Sequence, residues 1–151
     1  MTLTDPHPTS APTPTAPPSL VVRPWHDPKL AATGHPPRGE YVERFWLGVI
    51  GPSAVVLLRR LARGLEEFPD GFSIALPDTA RAIGLGGGTG RSSPVNRTID
   101  RCCTFGLMRR LDDGSLAVRT HLPFLTRRQL ARLPLAVQTS HDGWLAVPRA
   151  A

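Results

Sequence analysis

The side chains of this 151-residue chain best equipped for chemistry are two adjacent cysteines, five histidines, a glycine-rich run and seventeen arginines. Cys102 and Cys103, if helical, diverge by about 100° around the axis and cannot bridge to each other without distortion. With His121 or His141 they also lack the spaced pairs that let ligands converge on zinc. They are expected to be small buried hydrophobes in a reducing compartment. The run GLGGGTGRSS invites a phosphate-loop reading, which needs Gly-Lys-Ser/Thr with a glycine at a fixed distance upstream. Here Gly90-Arg91-Ser92 puts arginine where lysine belongs, and Leu85 stands where that upstream glycine should be. The dinucleotide pattern fails as well, because its third glycine falls on Thr89 in one register and on Arg91 in the other. A linker is the expected role. No serine–histidine–acid or paired-carboxylate arrangement is visible, so neither enzymatic activity nor a metal or small-molecule cofactor is expected.

Charge is the more informative chemistry. The net charge is +6, carried almost wholly by arginine. From Arg81 to Arg132 there are ten arginines against Asp100, Asp112 and Asp113, a local +7 beside a near-neutral remainder. Such an asymmetry is the electrostatic footprint expected of a nucleic-acid partner.

The elements that must position these arginines can be read from periodicity and punctuation. Ten of the 17 prolines lie in the first 37 residues. PHPTSAPTPTAPPS has no burying face, so residues 1–36 are expected to be a proline-rich arm, disordered from Met1 to about Thr33. The arm lacks a basic start followed by an apolar run, and no apolar stretch approaches a membrane span. The expectation is a soluble, intracellular, cytoplasmic protein with no membrane partner. Tyr41, Phe45 and Val49 share one face of a first short helix, Tyr41 to Ile50. A strongly amphipathic helix runs from Ser53 to about Glu67, with Arg59, Arg60 and Arg63 on its outer side. Phe72 to Leu76 alternates as a short strand, and TARAIG makes a brief helix.

After the glycine-rich connection, Ser93-Pro94 is a cap-and-first-turn signature. It opens a helix to Phe105 whose inward stripe is Val95, Ile99, Cys102 and Cys103. Leu107 to Leu111 and Ser115 to Arg119 form two strands joined by Asp112-Asp113-Gly114, a hairpin signal. Thr126 caps a further helix stopped by Pro134, and a weak last helix, Leu135 to His141, leads to Trp144.

SSPVNRTIDRCCTFGLMRRLDDGSLAVR resembles the second half of bacterial winged helix-turn-helix regulators: polar start, helix, Gly-Leu junction, and two basic strands around an Asp-Gly turn. LPDTARAIGLG is similar to the first helix of the pair. The likeness covers Leu76 to Arg119, and the connection GLGGGTGRSS is longer than the family's turn of about three or four residues. It implies a mainly α domain with a small β-hairpin wing over residues 37–134, followed by a short C-terminal helix and tail over 135–151.

The resemblance also implies a partner, duplex DNA, with a homodimer as a possible assembly. Ser93 to Phe105 would be the recognition helix. Its outward early residues are Ser93, Asn96, Arg97, Asp100 and Arg101, with Asn96 apt for adenine and Arg97 for guanine. Arg91, Ser92, Ser93 and the first backbone N–H groups would suit phosphate. Arg109, Arg110 and Arg119 on the hairpin would lie against the backbone or an adjacent minor groove. The function implied is that of a transcriptional regulator or a replication or partition accessory factor. The alternative is a winged-helix adaptor whose wing, with Arg127 and Arg128, meets an acidic protein.

Overall fold

The alternation Ser-Leu-Val-Val-Arg-Pro-Trp puts Leu20 and Val22 on one side of an extended segment, and both are buried. This is strand β1, Ser19–Trp25, and it lies inside a four-stranded sheet. The structure is a computed structural model that describes residues 18–147. The expectation of disorder up to Thr33 is therefore corrected for residues 18–33, which hold β1 and the short helix α1, Pro28–Thr33. For residues 1–17 that expectation lies outside the described residues.

The other strands are β2, Phe72–Ala75, β3, Met108–Arg110, and β4, Leu116–Arg119, in the order β2-β1-β4-β3. β3 and β4 are the antiparallel hairpin read from the sequence, with Gly114 at φ 86° in its turn. β1 pairs antiparallel with β2 and parallel with β4. The arm thus supplies the strand that joins the hairpin to β2. Leu20, Val22, Met108, Leu116 and Val118 face the core. Arg23, Trp25, Ser73, Arg109 and Arg119, one register step away, lie on the opposite face, because successive side chains alternate across a sheet.

The helices cover the core face. A π-helical turn, Val42–Trp46, runs into α2, Leu47–Ile50. Gly51 and Pro52 break the direction, and α3, Pro52–Glu67, buries Leu57, Leu58, Leu61 and Leu65. Each such burial stabilises by about 1.5–3 kcal/mol relative to exposure. Gly64 is required where α3 crosses β2, since a β-carbon there would collide with the Phe72 ring. α4, Leu76–Ala82, and α5, Pro94–Thr104, follow, then α6, Arg127–Ala131, and α7, Leu135–Ala146.

The last helix is longer than its sequence suggested and is part of the packing. Its His141 and Trp144 are buried against Tyr41 and Phe45. The Tyr41 hydroxyl accepts from the Leu125 backbone N–H at 2.9 Å and meets His141 Nε2 at 2.8 Å. The chain is thus mixed α/β, with seven α-helices and a four-stranded mixed sheet among the described residues, rather than mainly α with a hairpin alone. No described helix is long and apolar enough to cross a membrane.

Candidate nucleic-acid interface

α5 forms where it does because Ser93 caps it. The Ser93 hydroxyl accepts from the Asn96 N–H, and Pro94 occupies the first turn. Val95, Thr98, Ile99 and Cys102 are buried, which sets the direction of every other side chain on the helix. Cys103 is half-buried at the margin of that stripe. Burial pushes the Cys102 thiol up to about 12, with the neighbouring Cys103 adding to the shift, so it stays protonated and packs as a hydrophobe. The outward face is then Arg97 and Thr104 at its centre, Asp100 on the hairpin side and Arg101 on the side of α2.

Asn96 is engaged with its own loop. Its amide N–H groups donate to the Thr89 carbonyl at 2.8 Å and the Gly90 carbonyl at 3.0 Å, and its carbonyl accepts from Arg110 at 3.2 Å. The amide pattern that would read adenine therefore ties the glycine-rich connection to the helix start. Arg110 reaches from β3 to Asp100 at 3.1 Å, so one network joins hairpin, helix and loop. Arg91, exposed, lines a recess of about 420 Å³ with these three residues. Ser92 is exposed beside it, and Ser93 is occupied as the cap.

Arg97 is different. It is exposed and makes no ion pair or hydrogen bond with any described residue. Arg101, one turn later, donates to the Val49 carbonyl at 3.3 Å, at the partially negative end of α2. Together they line a recess of about 520 Å³ with Ile50, Gly51, Ser53 and Leu85. Pro52, Ser53 and Ala54, the first turn of α3, stand in the same wall.

The hairpin arginines do not act as one set. Arg110 turns toward α5, whereas Arg109 lies over the Trp25 ring at 4.3 Å on the opposite sheet face. Arg119 is enclosed. Its guanidinium sits 3.8 Å from the Trp25 ring centroid, donates to the Gly106 carbonyl at 2.6 Å and pairs with Asp27 at 3.4 Å. With a side chain only 17% exposed, it braces the end of α5 against β1 and is not presented as a backbone clamp. Sequence reasoning missed this because Trp25 and Asp27 fell in the arm. The alternation of Leu20 and Val22 was the signal that could have placed them.

Of the ten arginines from Arg81 to Arg132, three have carboxylate partners: Arg81, Arg110 and Arg119. The other seven have none among the described residues. No cluster of three or more histidine, cysteine or acidic groups among those residues is arranged to hold a metal ion. No known protein family, curated protein or solved structure matches the chain.

Proposed function

We propose that the chain is a sequence-specific duplex-DNA-binding protein of winged helix-turn-helix type, acting as a transcriptional regulator or as a replication or partition accessory factor. The observation that carries this reading is the outward face of α5. Arg97 stands there with no partner among the described residues, flanked by Arg91 and Arg101, on a helix whose inner face is fixed in the core. A helix bearing an unengaged arginine near its first turn suits the major groove, where a guanidinium pairs bidentately with guanine. Arg91, Ser92 and Arg101 border that face and suit phosphate. Arg109, exposed at the sheet edge, suits a neighbouring backbone segment, with the edge strand serving as wing. The order α3, β2, α4, α5, β3, β4 supports the winged-helix reading, with β1 standing between β2 and β4 as an added strand.

The test is titration of specific and scrambled duplexes with wild type and Arg97→Ala. Arg97→Ala is expected to cost about 1–3 kcal/mol on the specific site and to relax preference at one base pair. If wild type binds no duplex more tightly than about 10⁻⁴ M at physiological salt, the reading fails, since even non-specific binders reach that range.

A further inference from the structure

We infer that Arg127, Arg128 and Arg132, on and just after α6, form a second phosphate-binding surface that extends the contact made by α5 along the same duplex. The inference rests on the DNA-binding reading and adds a place, a set of residues and a length of DNA to it.

Charge is the first observation. All three side chains are exposed, and none has a carboxylate partner among the described residues. Arg23, Arg38, Arg44, Arg59, Arg81, Arg110 and Arg119 each have one. No acid occurs between Asp113 and Asp142, so nothing nearby in the chain offsets the cluster. Three uncompensated guanidinium groups within six residues repel one another and draw a polyanion.

Rigidity is the second. A capping box closes the start of α6: the Thr126 hydroxyl accepts from the Gln129 N–H at 3.2 Å, and the Gln129 side chain accepts from the Thr126 N–H at 2.9 Å. At the far end the Leu133 carbonyl accepts from Gln138 at 2.8 Å, and the Leu133 side chain is buried. The arginines therefore project from a fixed frame.

Position is the third. Leu133 packs against α2 so closely that a β-carbon on Gly48 would lie 2.6 Å from it. The neighbouring residue Val49 receives the Arg101 guanidinium. Arg101 and the segment that carries Arg132 thus both pack on α2, a helix about 10–12 Å wide. That separation fits well within one duplex turn of about 34 Å, so a single DNA can meet both groups.

The full chain is titrated against duplexes of about 12 and about 30 base pairs over a salt series. The substitutions are Arg127→Ala with Arg128→Ala and Arg132→Ala, and the same three positions changed to lysine. On the long duplex the alanine triple is expected to bind at least about tenfold more weakly, with a salt slope smaller by about 2–3. It should keep wild-type sequence preference, and the weakening should appear on the short duplex too, since about 12 base pairs already span one full turn. The lysine triple should retain the slope, since phosphate contact needs charge more than fork geometry. An alanine triple with an unchanged slope, in a protein that still binds DNA through Arg97, overturns the inference alone. A wild type that binds neither duplex overturns both readings.

Discussion

Two basic surfaces of similar composition behave differently in this molecule. On the outer face of the sheet, Arg23 donates to Ser115 and pairs with Asp113, while Arg109 and Arg119 both lie over Trp25. Arg119 adds Asp27 and the Gly106 carbonyl. On the outer face of α5, among the described residues, Arg97 has no partner and Arg101 has one backbone carbonyl. An arginine count would treat the two alike. On the first surface Arg23 and Arg119 are paired within the chain and hold β1 to the hairpin, leaving Arg109 alone to meet a backbone, whereas the second leaves most of its charge available to a ligand. Available charge, rather than total charge, marks the candidate interface.

The sharpest way to break this comparison is to reverse the inner and outer faces of α5. Cys102→Asp puts an unpaired carboxylate where the side chain is fully buried, at an expected cost of about 3–5 kcal/mol of stability. Chemical denaturation measures it. A stable variant would mean the helix had been rotated wrongly and Arg97 did not point outward.

Arg119→Ala comes next. It removes two charge-assisted contacts and the stacking on Trp25, and leaves the Gly106 carbonyl without its partner. The expected loss is about 2–3 kcal/mol, read as a lowered melting temperature. Affinity of the folded fraction for DNA should be unchanged. A normal melting curve combined with weakened binding to all duplexes would return Arg119 to the interface.

The contrast between these two arginine sets was only half legible in the sequence. α3, α5 and the hairpin could be read because their signals are local: a continuous apolar stripe, Ser93-Pro94, and Asp113-Gly114. β1 could not, because its partners lie about 50 and 95 residues away, Pro24 falls inside it and Pro18 and Pro28 lie on either side. Strand formation of that kind is decided by tertiary context. This bears on the site: with Trp25 and Asp27 read as arm, the sequence offers Arg119 no partner within the chain, whereas the structure gives it both. The Asn96 contacts are illegible for a related reason, since its partners include backbone carbonyls of an irregular loop that no side-chain pattern announces.

Asn96→Ala sharpens the comparison from the loop side. It deletes two donors to the glycine-rich connection and the acceptor for Arg110. About 1–2 kcal/mol of stability is expected to go with them. Amide exchange should accelerate across residues 84–92 while α3 keeps its protection. If binding specificity at an A·T pair falls while loop exchange stays slow, Asn96 is a base reader after all.

The smallest expected effect on stability is the most telling. Arg97 is exposed and without a described partner, so Arg97→Ala should alter stability by no more than about 0.5 kcal/mol in either direction. Helix propensity favours the substitution slightly, since alanine is the better helix former. Relief of repulsion from Arg101, one turn away, acts in the same direction by a few tenths of a kcal/mol. A melting temperature equal to or just above that of wild type is the expected result. Such a result agrees with the proposal that the Arg97 guanidinium serves DNA rather than the fold. A clear fall in melting temperature would instead reveal an intramolecular role for Arg97, and the difference between the two arginine surfaces would disappear.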